Sequence, residues 1–349
     1  MKVAQVAPLI ESVPPRLYGG TERIVSYLTE ELVRQGHQVT LFASGDSQTR
    51  AQLVATVPNA LRLDPTVRDY SPYSVLQLEQ VRQRAGEFDV IHFHSDFMHL
   101  PLVRATMLDR AITTMHGRLD LPDYRALFAE FDDTRLISIS NDQRGPLSQA
   151  HWAATVYHGL SPEVCSFNPT PRGDYFAFLG RISPEKRPDR AIEIARLAGV
   201  KLKLAAKVDS ADQDYFRTQI EPLLSQSHVE FIGEIGEHQK SEFLGNAQAL
   251  LFPIDWPEPF GLVLIEAMSS GTPCIAWRAG SVSEVVDHGV TGFVIDSLDA
   301  AVDAVRRISM LDRHAVRARF EQRFSAQRMA RDYLDVYARI AANSDRVAA

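Results

Sequence analysis

Short apolar runs with β character alternate with helical patterns along the whole chain, and the alternation starts afresh halfway. This order restricts the fold more than any other feature. Strands separated by crossover helices pair in parallel, and a parallel sheet must be covered by helices on both faces. In the first half the expected strands are Lys2–Ala7, Gln38–Ala43, Asp89–Phe93, Arg110–Met115, Arg135–Ser138 and Ala153–Tyr157. Thr21 can cap a helix that carries Ile24, Val25, Leu28, Leu32 and Val33 at helical spacing and stops at Gly36. A polar, proline-containing stretch, Ser161–Asp174, intervenes. Strands then follow at Tyr175–Leu179, Lys201–Ala206, His228–Ile232, Ala249–Phe252, Pro273–Trp277 and Gly292–Ile295. The expected fold class is α/β: two Rossmann-like, doubly wound parallel-sheet domains, 1–162 and 163–325, facing a central cleft. A last helix, roughly Ala326–Ala342, lies in a terminal segment 326–349. Ligands of such sheets gather beyond the C-terminal ends of the strands.

A length of 349 residues suits two domains. Hydrophobic residues at 45% and charged residues at 23% are ordinary for a globular enzyme. A net charge of −7 without a long basic run argues against nucleic-acid binding. No apolar stretch approaches the roughly 20 residues of a membrane span, so no transmembrane segment is expected, while peripheral membrane contact stays open. Residues Met1–Pro8 read as a strand rather than a signal peptide. Cys165 and Cys274 lack metal spacing and fit a reducing compartment, so the cytoplasm is the expected location.

The stretch from Asp255 to Met268 carries the strongest chemical signal. Glu258 and Glu266 stand eight residues apart across a loop-to-helix boundary, with Pro259 suited to a first helical turn. Unpaired N–H groups and a positive dipole end make a helix start attractive to anions. Two helical turns bring Glu266 back to nearly the same face. One face could then offer a carboxylate to each of two hydroxyl-bearing groups flanking a diphosphate, the layout of a nucleotide-sugar. A glutamate at a helix start is also stabilising without any ligand. Glu266 is harder to explain that way, because Leu262, Val263, Leu264, Ile265, Ala267 and Met268 surround it, and a buried carboxylate needs a partner.

Other candidates fall just after expected strands. Gly180 allows a tight exit from Tyr175–Leu179, and Arg181 and Lys186 then bring two cations to one region; the alternative is a solvated helix start. Gly19-Gly20 can let backbone N–H groups approach a phosphate, or merely make a turn; the third glycine of a dinucleotide fingerprint is absent. His116 ends a strand where it could bind a sugar or orient an acceptor, or simply pack. His92 and His94 share a face of a strand near Asp96 and His99, but no Cys or carboxylate set at metal spacing accompanies them, so no metal site is assigned. His94 at a binding crevice is the better functional reading.

These residues, in their order and spacing, resemble the family-4 retaining glycosyltransferases of the GT-B fold. The resemblance spans Gly19-Gly20-Thr21-Glu22, Gly180-Arg181 with Lys186, Glu258-x7-Glu266 with Pro-Phe-Gly-Leu, and Gly289-Val290-Thr291-Gly292-Phe293. It implies a hexose-transferring enzyme without cofactor or metal, using a nucleoside-diphosphate sugar, UDP-sugar favoured, and an acceptor that the sequence does not identify. By the resemblance, Arg181 and Lys186 hold the diphosphate, Glu266 takes ribose hydroxyls, and Glu258 with the backbone of Phe260-Gly261-Leu262 takes sugar hydroxyls. Gly233 lies in the loop that holds the base, Gly19 and Gly20 face the donor phosphate, and His116 lines the reaction centre. Where many relatives carry glycine after the lysine, this chain has Arg187. The resemblance also implies that the last helix packs back on the first domain. Loops 9–18, 46–57 and 117–124 are expected to choose the acceptor, with His94, Arg118 and Asp120 as acceptor-side candidates. An epimerase of the same fold and a non-catalytic sugar-nucleotide-binding protein are the alternatives.

Overall fold

The computed structural model describes residues 1–16, 19–161 and 163–348. Among them the chain forms two compact units, Met1–Gly159 with Ala326–Ala349 and Leu160–Ser325, so the break falls at Gly159/Leu160. Pro162, Leu17, Tyr18 and Ala349, which the expected boundaries and loops include, lie outside the described residues.

The first unit holds strands β1 (Lys2–Val6), β2 (Gln38–Ala43), β3 (Gln52–Ala55), β4 (Val90–Phe93), β5 (Ala111–Thr114), β6 (Leu136–Ser138) and β7 (Trp152–Thr155). They form one parallel sheet in the order β3-β2-β1-β4-β5-β6-β7. The second unit holds β8 (Tyr175–Arg181), β9 (Lys201–Lys207), β10 (Val229–Gly233), β11 (Leu250–Phe252), β12 (Cys274–Trp277) and β13 (Gly292–Ile295), in the parallel order β10-β9-β8-β11-β12-β13. Each sheet thus starts at a central strand, adds two neighbours on one side and the rest on the other. Such a reversal opens a crevice at the carboxyl ends of the two strands that flank it. The crevices lie beyond β1 and β4 in the first unit and beyond β8 and β11 in the second.

Burial on both faces follows from the apolar strands. Val6, Phe42, Ile91 and Phe93 are in the first unit's core, and Phe176, Phe178, Leu202, Leu204, Leu251 and Ile275 are in the second's. Strand β3 falls inside the segment expected to be an acceptor loop. It is a half-buried edge strand after the polar run Ser47–Arg50, too short for its apolar pattern to stand out. Gly180 does not make a tight exit either: β8 runs on to Arg181, with Gly180 paired to Ala206. The helix expected to be capped by Thr21 spans Gly20–Arg34 and has Gly19 at its cap. The helix Ala326–Ala348 belongs to the first unit, where buried Tyr333 and Tyr337 anchor it. Among the described residues no helix is long and apolar enough to cross a membrane.

Candidate active site

In the second unit the loops after β8 and β11 meet at the crevice. The Asp255 N–H donates to the Glu185 carbonyl at 2.8 Å, tying the loops together. This places Lys186 Nζ 2.5 Å from Glu258 Oε2. Trp256 Nε1 donates to the same carboxylate oxygen at 3.1 Å, and its ring lies 4.9 Å from the Lys186 ammonium. Glu258 is only 8% exposed, so the lysine and the indole are what compensate its charge.

The local backbone differs from a simple helix start. The helix spans Leu262–Ser269, and Gly261 before it is left-handed at φ 83°. Pro259 therefore precedes the helix instead of occupying its first turn, and Glu258 sits in a loop. The face-sharing argument from helical periodicity does not apply to the pair. Glycine at 261 is required by that φ, since a side chain there is strained. A second turn holds Glu258 from behind. The Ser281 N–H donates to the Glu258 carbonyl at 3.0 Å, and a Cβ on Gly280 would lie 2.3 Å from the Glu258 nitrogen. The turn Ala279-Gly280-Ser281 thus braces the Glu258 loop.

Glu266, 4% exposed, faces inward as its apolar neighbours required, and its partner is Lys240 at 2.8 Å. Lys240 comes from the helix Glu237–Gly245 that follows Gly233 and Gly236, and Glu237 lies 3.5 Å from the same ammonium. Gly233, at φ 75°, ends β10 and turns the chain toward that helix. Arg181 pairs with Glu185 at 2.8 Å and lies 3.5 Å from Asp209 and 3.7 Å from Asp212. The structure thus joins Lys186 to Glu258 directly and links Arg181 to their loop through Glu185, whereas Glu266 is held by a lysine that sequence reasoning missed. Lys240 carries no local signal for this pairing; only the fold brings it to Glu266. Arg187, in the place of a glycine, is itself left-handed at φ 53°. Ion pairs to Asp189 at 2.8 Å and Asp255 at 2.9 Å hold it there.

In the first unit the crevice is lined by neutral rings. His116 Nε2 lies 2.9 Å from His94 Nδ1, and His94 Nε2 lies 2.7 Å from Gln5 Oε1. His92 is held by Tyr337 and Thr114, and the His158 ring stacks on His116 at 5.2 Å. Burial holds the imidazoles of His92, His94 and His158 well below their ordinary pKa, and those of His99 and His116 down to about 3. Gln143 Nε2 donates to the carbonyls of Met115 and Gly117, clamping the backbone on both sides of His116. Both ring nitrogens of His92 and of His94 are engaged with protein groups, and among the described residues no three His, Cys, Asp or Glu side chains gather as a metal cage. Arg118 and Asp120 pair with each other at 2.7 Å. Gly19 is needed for closeness: a Cβ there would lie 2.7 Å from Pro15.

Comparison with known proteins agrees with this architecture. Residues 18–165 match the model described as Glycosyltransferase Family 4, and residues 167–324 match Glycosyl transferases group 1. A phosphatidyl-myo-inositol mannosyltransferase of Mycobacterium leprae is 24% identical, over 99% of each chain. Among solved structures, the glycosyltransferase AviGT4 of avilamycin A biosynthesis is 24% identical and superposes with a TM-score of 0.73, covering 98% of each chain. Anabaena Alr3699/HepE, solved with UDP and glucose, is 20% identical with a TM-score of 0.71, over 97% of this chain and 99% of that one. With two parallel sheets of reversed strand order and matches along nearly its whole length, this chain belongs to the family-4 glycosyltransferases of the GT-B fold.

Proposed function

We propose that this glycosyltransferase moves a hexose from a nucleoside-diphosphate sugar, with UDP as the favoured nucleotide, to a hydroxyl-bearing acceptor, with retention of configuration and without a metal. The observation that carries the reading is the Lys186–Glu258 contact at the crevice of the second sheet. An ammonium and a carboxylate joined there suit the two halves of a sugar diphosphate. Lys186 turns to the phosphate, and Glu258 is freed to accept from sugar hydroxyls. Arg181 adds a second cation, the N–H groups at the start of helix Leu262–Ser269 add a dipole end, and Glu266 takes the ribose hydroxyls. Gly233 borders the base. The solved relative that holds UDP and glucose supports uridine over other bases.

In this mechanism the bond between the sugar C1 and the phosphate oxygen breaks while the acceptor oxygen bonds C1 on the same face. The acceptor's proton passes to the departing phosphate oxygen. Lys186 and Arg181 stabilise the charge developing on the diphosphate. In the first unit His116, with His94 behind it, is assigned to a substrate hydroxyl, Arg118 and Asp120 to the acceptor side, and the backbone at Gly19 and Gly20 to a phosphate.

Incubation with UDP-, GDP- and ADP-sugars, scored by nucleotide release, tests the donor. UDP release is expected with a UDP-hexose, and activity is expected to survive EDTA. Loss of activity in EDTA with recovery on adding a divalent ion would defeat the metal-free reading, and absence of release or binding with all three nucleotides would defeat the donor assignment.

A further inference from the structure

A continuous hydrogen-bonded chain runs through the first unit from its last helix to His116. Tyr333 of the helix Ala326–Ala348 contacts Thr114 at 3.0 Å, and Thr114 contacts His92 Nε2 at 2.7 Å. His92 Nδ1 lies 2.6 Å from the Tyr337 hydroxyl, which accepts from Gln5 Nε2 at 3.0 Å. Gln5 Oε1 then meets His94 Nε2, and His94 Nδ1 meets His116 Nε2. His92, His94, Gln5, Tyr333 and Tyr337 are all fully or almost fully buried, so water cannot replace a missing partner.

Neutral imidazoles make such a chain directional. Each ring has one N–H and one lone pair, so fixing one member fixes the next. The amide oxygen of Gln5 can only accept. His94 therefore carries its proton on Nε2 and presents a lone pair at Nδ1, and His116 must donate from Nε2. The lone pair of His116 is left on Nδ1. Turning the Gln5 amide over would reverse the proton order of both histidines. The Tyr337 hydroxyl couples the amide to His92: in the orientation found it accepts from Gln5 Nε2 and is left to donate to His92 Nδ1, which leaves the His92 Nε2–H for Thr114, so a turned amide requires His92 to move its proton as well.

We propose that Tyr337 and Gln5 are positioning residues that set the tautomer of His116 through His94, so that Nδ1 of His116 accepts a hydrogen bond from a hydroxyl of the bound substrate. The proposal rests on the reading that His116 meets a substrate hydroxyl. A hydroxyl at that position meets an acceptor in one tautomer and a competing N–H in the other. The last helix thereby acts on His116 through buried partners.

The test is a pair of measurements on full-length Tyr337→Phe. Nitrogen chemical shifts of 15N-histidine-labelled protein, assigned with single histidine variants, report which nitrogen of His116 carries the proton. The parent is expected to show Nε2 protonated and Nδ1 bare. Tyr337→Phe is expected to populate the opposite tautomer. Hydrolysis of UDP-glucose should lose at least about tenfold in kcat, with KM within about twofold. An unchanged His116 pattern in the folded variant would overturn the relay, whatever the turnover. A changed pattern with parental turnover would instead remove His116 from the reacting sugar and leave the relay standing. Should Tyr337→Phe not fold, Gln5→Leu interrupts the same chain one step closer, with the same two outcomes.

Discussion

The two units share a strand order and differ in what occupies the crevice it creates. In the first, His92, His94 and His116 join Gln5, Thr114, Tyr333 and Tyr337 in one hydrogen-bonded chain of neutral groups. In the second, Lys186, Glu258, Lys240 and Glu266 satisfy one another as charges. The same backbone plan therefore supports two electrostatic regimes. Ion pairs can be exchanged for a charged ligand because each charge keeps a partner throughout. Neutral rings cannot neutralise a diphosphate, but they can orient hydroxyls without attracting counter-ions. The proposed division between a donor-binding and an acceptor-binding unit rests on these side chains, since the strand order does not distinguish the units.

The contrast can be broken first with pH. The folded-state pKa values of the buried histidines lie below the ordinary 6.5, so unfolded chain binds more protons as pH falls beneath that value. Their stabilisation is present above pH 6.5 and is lost as pH falls below it, through about pH 3 for His99 and His116. Denaturant unfolding between pH 6.5 and 5 should show a loss of several kcal/mol, on the order of 1 kcal/mol per histidine per pH unit, carried by the first unit. Glu22 gives the opposite sign. Burial raises its carboxyl from 4.5 to about 7, so its contribution is present below pH 4.5 and is lost as pH rises through 7. Glu22→Gln should remove a fall of about 3 kcal/mol between pH 4.5 and 8. Unfolding of the variant and parent across that range decides it; parallel curves would refute a proton held by Glu22.

In the second unit, loss of one charge should act on turnover. Lys186→Ala or Glu258→Gln is expected to lower kcat/KM for the nucleotide-sugar by roughly 10- to 100-fold, as one charge-assisted hydrogen bond is removed. Circular dichroism must show that the variants fold, and near-parental rates in folded protein would remove the pair from the donor site. The smallest effect is at Arg187. Arg187→Gly relieves the left-handed backbone while losing two half-exposed ion pairs, so stability should stay within about 0.5 kcal/mol of the parent. Arg187→Ala loses the pairs and keeps the strain, and should cost about 1 kcal/mol by thermal unfolding.

Much of this was legible in the sequence because parallel strands buried on both faces give continuous apolar runs. All twelve strands expected from the sequence correspond to strands of the two sheets, whereas the edge strand Gln52–Ala55 is four residues long and only half-buried, so it carries no continuous apolar run. Glu266 was legible as buried because its apolar neighbours leave no polar face, but its partner Lys240 lies 26 residues away on another helix. Pro259 misled for a physical reason. Proline fits a first helical turn, yet Gly261 two residues later takes a positive φ that no helix continues through, and sequence alone does not reveal a glycine's φ. The histidines were visible as a cluster, but Tyr337 and Gln5 are separated by 332 residues and only the folded chain joins them.

The second unit is a single uninterrupted stretch whose two ends meet: the Leu160 N–H donates to the Phe324 carbonyl at 2.9 Å, and Leu160 bridges to Ser325. The first unit is made of two stretches with the whole second unit between them. During synthesis the ribosome therefore delivers every strand of the first sheet early, but Tyr333 and Tyr337 emerge only after residue 325 has passed. Gln5, His92 and Thr114 stay without those hydroxyls until then. The nascent first unit waits for its own closing piece, while the second can complete itself as it leaves the tunnel.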